Sequence, residues 1–304
     1  MKRTVDIKQV DAFTQQAFGG NPAAVVANAN SLTDKEMQAI ANEMNLSETA
    51  FVLSSNKADF RLRWFTTEKE VLFCGHATIA SLHVLAEEGL YGMEKEGDYS
   101  LTIETLVGNL PVMINKTQSN INISLEAPQA QLINETISLN KLAEAFEIED
   151  TALAAKLPLM RDKTVDYLFV PVKDLDSLKS VQYNYSKLKA FGAEHNIKGF
   201  CVFSQGTYDI NSDVSSRFFS PYYDVIEDPV TGSANAPLAV YLVENNLIDM
   251  REDTVIVNAE QGDILNRPGR LQVEVTKNSS GNYQSKLIGE AVTVLEGTIN
   301  FMSF

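Results

Sequence analysis

The order of apolar and polar positions along the chain predicts short strands interrupted by isolated helices. In residues 5–26, "VDIKQVDAF" alternates, "TQQAFGGNP" has the composition of a tight loop, and "AAVVA" resumes an apolar run, which together predict strand, loop and strand. A helix is expected in "SLTDKEMQAIANEM", where Thr33 and Glu36 have capping-box spacing and Asn45 follows the last turn. "ETAFVLS" and "DFRLRWFTT" then predict two further strands.

A second helix is predicted in "FCGHATIASLHVLAEEGL", with Gly89 placed to end it. Helical spacing puts a set of mostly apolar residues on one face, namely Ile79, Leu82, His83, Leu85 and Ala86. The sequence therefore predicts an amphipathic helix that begins close to a cysteine, a glycine and a histidine.

The second half of the chain repeats this order of elements. "SRFFSPYYDVIEDPVTGSANAPLAVYLVENNLI" parallels "LRWFTTEKEVLFCGHATIASLHVLAEEGL", which sets Gly75-His76-Ala77 against Gly232-Ser233-Ala234. No Pro/Gly/Ser-rich linker separates the two parts. We expect two related halves, 1–118 and 119–286, with the alternating strands of 287–304 returning to the first half.

Composition narrows the classes of partner. The chain has 304 residues, 25 Lys and Arg against 40 Asp and Glu, and a formal net charge of -15, so long-range repulsion disfavours nucleic acid and anionic membranes. No uninterrupted apolar stretch approaches the roughly 20 residues that a spanning helix needs. These features predict a cytoplasmic protein of ordinary globular composition.

The cysteines and histidines predict neither a disulfide framework nor a metal site. There are 2 Cys and 3 His, and Cys201, flanked by Phe200 and Val202, is expected to be buried. Cys74 and His76 resemble a nucleophilic pair, but residues at i and i+2 seldom face each other. His83 and Glu87 have helical i,i+4 spacing, yet His83 falls on the apolar face. Phosphate-loop and dinucleotide fingerprints are absent from the sequence.

Both predicted helix starts have the chemistry of anion sites. Unpaired backbone N–H groups and the helix dipole attract carboxylates there, and a glycine such as Gly75 or Gly232 lets a ligand approach the backbone. Simple capping explains Ser233 equally well. From the residues alone, Asp228 before Pro229 and Glu48 at a strand end are better explained as solvent-facing acids, although partial burial of Glu48 would raise its pKa toward a range useful for proton transfer.

Five ordered segments resemble the phenazine-biosynthesis PhzF-like family of isomerases: "DAFTQQAFGGNPAAVV", "NLSETAFV", "EVLFCGHATIAS", "EDPVTGSANAPLA" and "GEAVTVLEGTI". The resemblance covers essentially the whole chain. It implies an α+β fold of the diaminopimelate epimerase-like type, with two pseudo-symmetric halves, each a β-sheet wrapped around a central helix. It also implies an active site in a cleft between the halves and a homodimeric assembly.

The same resemblance implies roles for individual residues. Glu48 corresponds to the family's general acid/base, and the motifs place three further catalytic residues at His76, Asp228 and Ser233. The residues expected to contact substrate are Asn21, Cys74, Gly75, Thr231 and Gly232. The implied reaction is a proton transfer, without cofactor or metal, on a small carboxylate-bearing molecule.

Two alternatives stay open. A two-thiol racemase of this fold carries a cysteine before each helix-start glycine, but here Cys74 precedes Gly75 whereas Thr231 precedes Gly232, which disfavours it. An epimerase using Cys74 on one face of its substrate and a carboxylate on the other, and a binding protein for a small anion, are both compatible with the sequence. Asn235 stands where the family's characterised isomerases tend to carry a histidine, which leaves the identity of the substrate open.

Overall fold

The computed structural model describes residues 2–302 and has mixed α+β architecture. Its strands are β1 (Lys2–Ala12), β2 (Asn21–Val26), β3 (Thr49–Leu53), β4 (Phe60–Phe65), β5 (Glu70–Val71), β6 (Gly97–Thr105), β7 (Gly108–Lys116), β8 (Ile121–Glu126), β9 (Leu132–Asn134), β10 (Met160–Asp162), β11 (Tyr167–Pro171), β12 (Gly199–Ser204), β13 (Val214–Ser220), β14 (Val225–Asp228), β15 (Thr254–Gln261), β16 (Gly269–Lys277), β17 (Tyr283–Gly289) and β18 (Ala291–Met302). Its helices are α1 (Asp34–Met44), α2 (Gly75–Glu87), α3 (Leu139–Ala145), α4 (Leu175–Ser180), α5 (Tyr185–His195) and α6 (Gly232–Glu244).

The chain divides into two compact units. The first contains the residues up to Glu126 together with those from Ile288 onward, and the second contains Ala127–Leu287. In the first unit the C-terminal strand β18 pairs antiparallel with β1 along most of its length. Lys2 and Met302 therefore lie opposite each other in the same sheet.

Strand pairing in the first unit follows a mixed pattern. β1 pairs antiparallel with β2, β2 pairs parallel with β3 across the helix α1, and β3 pairs antiparallel with β4. β4 then pairs antiparallel with β5 and parallel with β6, and β6, β7 and β8 form an antiparallel meander. Each parallel pair requires a crossover, which α1 and α2 provide.

The second unit repeats this succession of pairings. β10 and β11 are antiparallel, β11 and β12 are parallel across α4 and α5, and β12 and β13 are antiparallel. β13 pairs antiparallel with β14 and parallel with β15, and β15 pairs antiparallel with β16. The internal repeat in the sequence is thus matched by a repeat in topology, with α6 in the position of α2.

The boundaries of α1 follow directly from its sequence. Thr33 Oγ1 accepts from the Glu36 backbone N–H, and the Glu36 side chain accepts from the Thr33 backbone N–H, so the predicted capping box is confirmed. Asn45 ends the helix in the left-handed region at φ 52°, as its position predicts. A cluster that includes Met37, Ile40 and Phe51 packs α1 onto the sheet of the first unit.

The central helix α2 is buried on all sides. Every residue from His76 to Ala86 is buried, and the helix contacts β1, β2, β3, β7, β8 and β18. The prediction of an amphipathic helix is therefore wrong, because small and apolar residues occupy all its faces. Its hydroxyl groups are accommodated internally: Thr78 donates to the Cys74 carbonyl and Ser81 to the Ala77 carbonyl.

Helix α6 is the corresponding element of the second unit and is buried from Ala234 to Val243. A second core lies around α3, α4 and α5, where residues such as Leu142, Phe146, Leu178 and Leu188 pack with Phe200 and Phe219 of the sheet. Among residues 2–302, we found no helix with the length and apolarity required to cross a membrane.

Candidate active site

Glu48 lies in the short connection between α1 and β3. Asn45 turns the chain out of the helix, and the Glu48 carbonyl accepts from the Ala24 N–H at 3.3 Å, which aligns the start of β3 with β2. The Glu48 side chain is 19% exposed. The predicted strand-end position is therefore confirmed, but the carboxyl group is mostly enclosed rather than facing solvent.

Cys74 and His76 stand at the beginning of α2. Cys74 is the N-cap residue with extended backbone (φ -146°, ψ 115°), and the helix begins at Gly75. Because Cys74 is not helical, its Sγ lies 3.5 Å from His76 Nδ1. The expectation that these two side chains do not face each other is therefore wrong.

The three side chains form one polar cluster in the first unit. His76 Nε2 lies 3.3 Å from Glu48 Oε2 and 3.3 Å from Ser47 Oγ. Burial raises the pKa of Glu48 above its ordinary value, and hydrogen bonds with Ser47 and Cys74 oppose part of that rise. An enclosed carboxyl group with an imidazole at hydrogen-bond distance has a partner with which it can exchange a proton.

The first turns of α2 and α6 have similar chemistry. Within residues 2–302, neither the Cys74 nor the Thr231 side chain caps its helix, and neither first turn contains an acidic residue. Within the first turn itself, therefore, no acidic side chain opposes the positive end of either helix. A carboxylate or a developing oxyanion is the ligand that such an end favours.

In the second unit, the loop before α6 is held by a network of side-chain amides. Thr231 Oγ1 donates to Asp228 Oδ2 at 2.5 Å, and the Thr231 N–H donates to Gln261 Oε1 at 3.0 Å. Gln261 Nε2 in turn donates to the Asp228 carbonyl at 2.7 Å. Asp228 and Thr231 are brought together, and Gln261 from β15 fixes the backbone between them.

Asn235 belongs to this network. Its side chain is 1% exposed and donates to the Thr231 carbonyl at 3.0 Å and to Gln261 Oε1 at 2.8 Å, while Ser216 donates to its oxygen at 3.2 Å. Asn235, which departs from the family pattern, therefore stabilises the start of α6 through buried hydrogen bonds.

The other predicted residues occupy diverse surroundings. Ser233 is exposed in the first turn of α6, next to the buried Gly232. Pro237 lacks an N–H, so the Ser233 carbonyl has no intrahelical donor four residues on.

Asn21 is buried at the start of β2, where it pairs with Ala12. It follows Gly20, which has a φ of 54°, and a Cβ atom on Gly20 would collide with the Ala12 carbonyl, so no side chain fits there.

Ser47 and Gln261 are polar neighbours of the candidate residues that sequence reasoning missed. Ser47 directly precedes Glu48, and this proximity was its only signal. Gln261 is a polar residue at the buried end of β15, followed by Gly262 with φ 94°, where a Cβ atom would lie 2.7 Å from the Pro229 carbonyl. A glycine directly after a strand-end glutamine indicates that another segment of backbone comes close, but the sequence does not say which segment.

The chain matches the sequence profile described as phenazine biosynthesis-like protein, PhzC-PhzF, over residues 10–297. It belongs to this family. An uncharacterized isomerase of Clostridium acetobutylicum is 34% identical to this chain over 304 residues, and the match covers 98% of this chain and 99% of the relative. The crystal structure of a Bacillus anthracis PhzF-family phenazine biosynthesis protein has a TM-score of 0.89 at 34% identity, covering 98% of this chain and 99% of that one.

A more distant structure supports the fold alone. A hydroxyproline epimerase from Agrobacterium vitis has a TM-score of 0.61 at 11% identity, covering 98% of this chain and 93% of that one. The predicted diaminopimelate epimerase-like fold is confirmed by these neighbours. The predicted enzyme class, an isomerase of the PhzF family, is confirmed by the family match and the named isomerases among its relatives.

Replacing Asn235 by Ala is expected to lower the free energy of unfolding by about 1–3 kcal/mol, because buried hydrogen-bonding groups of Thr231 and Gln261 lose a partner. Urea denaturation followed by circular dichroism measures the change. Ser233→Ala, an exposed substitution on the same helix, should stay within about 0.5 kcal/mol of the parent. Equal stability of the parent and Asn235→Ala would show that the network contributes nothing.

Replacing Glu48 by Gln is expected to change stability in a pH-dependent way. Below the ordinary Glu pKa of 4.5, the carboxyl is protonated in both folded and unfolded chains and its titration contributes nothing. As pH rises, the unfolded chain ionises first, because burial raises the folded-state pKa, so the parent loses stability relative to Glu48→Gln. Denaturant unfolding at several pH values should show the variant gaining on the parent toward neutral pH; a gap that stays constant or narrows contradicts the raised pKa.

Proposed function

We propose that the chain is a cofactor-independent isomerase that moves a proton between carbon atoms of a small carboxylate-bearing substrate, with Glu48 as the general acid/base. The observation that carries this proposal is the largely enclosed Glu48 carboxyl, 3.3 Å from His76 Nε2 at the start of α2. The relatives named isomerases support the reaction class.

The chemistry requires one group that both accepts and returns a proton. In the proposed reaction the Glu48 carboxylate takes a proton from a carbon made acidic by an adjacent carboxylate or enamine system, and the C–H electron pair enters that system. The neutral Glu48 carboxyl then gives the proton to a different carbon. No proton is consumed overall, and Glu48 returns to its starting state. A pKa raised by burial suits both half-reactions, because a catalytic group works best with its pKa near the operating pH.

His76 is proposed to orient the substrate and to relay the proton. Its ring has Ser47 Oγ and Glu48 Oε2 near Nε2 and Cys74 Sγ near Nδ1, so both ring nitrogens have polar neighbours that restrict rotation. A ring held in this way keeps Nε2 directed at the carboxyl group without reorganisation during the reaction.

Binding of the substrate carboxylate is proposed to involve the helix starts. The backbone at Gly75 and Gly232 opens each central helix, and neither helix end is neutralised by a first-turn acid in the described residues 2–302. Asp228, Ser233, Thr231 and Asn21 are proposed to complete the substrate site, with roles taken from the family resemblance. Assembly as a homodimer is proposed on the same ground.

Glu48→Gln should lower the rate of substrate-dependent proton exchange by about 10²–10⁴-fold, because Gln cannot accept or return a proton. Solvent-deuterium incorporation into a panel of hydroxylated and amino-substituted cyclic and acyclic carboxylic acids measures it, with NMR detection. Glu43→Gln, at an exposed position on α1, removes the same charge and should retain parent activity.

Two outcomes of this assay would reject parts of the proposal. A Glu48→Gln protein with the parent rate would exclude Glu48 as the acid/base. Saturable binding of a carboxylic acid without deuterium incorporation in the parent would favour the alternative of a non-catalytic small-anion binding protein.

An epimerase using Cys74 is a second candidate, favoured by the contact between Cys74 Sγ and His76 Nδ1 at 3.5 Å. In that case the Cys74 thiolate removes the proton from one face of a stereogenic carbon, and a carboxyl group on the other face returns a proton, so the product is a stereoisomer. Cys74→Ser should then abolish stereochemical inversion measured by chiral chromatography. Formation of a constitutional isomer that survives Cys74→Ser supports the proposed isomerase instead.

A further inference from the structure

The structure brings three different metal-binding side chains together in the first unit. Ligand atoms of Glu48, Cys74 and His76 all lie within 4.8 Å of one another. The reaction proposed above uses the carboxyl and the imidazole but assigns no chemical step to the thiol. We propose that this cluster is a binding site for a thiophilic divalent cation of the zinc type.

The imidazole and the carboxylate are already spaced for a tetrahedral ion, and the thiol is within reach of it. Zinc bonds of about 2.0–2.3 Å to O, N and S ligands at tetrahedral angles place the ligand atoms about 3.3–3.6 Å apart. His76 Nε2 and Glu48 Oε2 are 3.3 Å apart, which already matches. Cys74 Sγ is 4.0 Å from His76 Nε2 and 3.5 Å from Nδ1, so the Cys74 side chain must change rotamer to bring its sulfur to the carboxyl side of the ring, where one ion can contact all three ligands.

The donor set selects the kind of cation. A sulfur, an imidazole nitrogen and a carboxylate oxygen together suit Zn²⁺, Co²⁺ and related ions, whereas Mg²⁺ and Ca²⁺ require oxygen ligands. A thiolate and a carboxylate also supply two negative charges, which balance the charge of the ion. Cys74 is the N-cap residue of α2, and its extended backbone places the sulfur beside the His76 ring.

The position of the cluster fits a reversible ligand site. The side chains of His76 and Glu48 are 9% and 19% exposed, so the cluster is enclosed but open to small solutes. Three protein ligands leave a fourth coordination position for water or another small molecule. One consequence rests on the proposed function. A bound ion coordinates the Glu48 oxygen that would accept the proton, and it therefore inhibits the isomerase.

Titration with Co²⁺ tests the site directly, because a cobalt–thiolate bond produces a charge-transfer band in the near ultraviolet and tetrahedral Co²⁺ has intense visible bands. The parent protein should show both. Cys74→Ser should lose the charge-transfer band. Cys201→Ala is the matched control, since Cys201 is fully buried in β12, and it should retain the band. A parent without the band, or a band that survives in Cys74→Ser, overturns the proposal.

Two further variants separate the cluster from a lone thiol. Glu48→Gln and His76→Gln should each weaken Co²⁺ binding by at least about tenfold, the scale on which the loss of even supporting groups weakens a metal site. Circular dichroism confirms that each variant is folded. Binding as tight as in the parent in both variants would show that Cys74 binds the ion alone, which overturns the three-ligand site.

Activity distinguishes failure of this inference from failure of the proposed function. Zn²⁺ should inhibit deuterium incorporation by the parent, and EDTA should restore it. A cobalt spectrum with no exchange activity in any assay supports the metal site and rejects the isomerase. Exchange activity with no cobalt spectrum supports the isomerase and rejects the metal site.

Discussion

The burial of α2 inside the sheet of the first unit is the constraint on which the candidate site depends. Six strands contact this helix, and side chains such as Leu82 and Leu85 are fully buried. Burying each such side chain contributes about 1.5–3 kcal/mol, and close-packed interiors tolerate little displacement. The helix cannot slide or rotate without exposing this surface, so Cys74 and His76 at its beginning are held in fixed positions against Glu48.

The same packing makes the polar cluster costly in folding free energy. The core around α2 excludes water, and burial of Glu48 disfavours its charged form. A protein selected for stability alone would place an uncharged side chain at this position. Retention of a carboxyl group, an imidazole and a thiol together is therefore more simply explained by chemistry at the site than by folding.

Local sequence signals predicted the elements well, because each depended on neighbouring residues. The capping box of Thr33 and Glu36, the turn at Asn45 and the start of α2 at Gly75 are all local patterns. The contact of Cys74 with His76 was not predictable from spacing, because it depends on the extended backbone of the N-cap. Equally, the reason for Asn235 emerged only when β15 placed Gln261 beside it, and that pairing brings together residues 26 positions apart in the chain.

The network around Gln261 also bears on how such a protein can acquire new specificity. One side chain links the Asp228 carbonyl, the Thr231 amide and the Asn235 side chain, and Gly262 permits the close approach that this requires. Changes there alter the scaffold. Ser233 lies only two residues before Asn235, but its side chain is exposed, so replacing it leaves the scaffold unchanged. Substitutions that change specificity are therefore expected in the solvent-facing first turn of α6, whereas the hydrogen-bonded side chains of Gln261 and Asn235 are expected to stay the same.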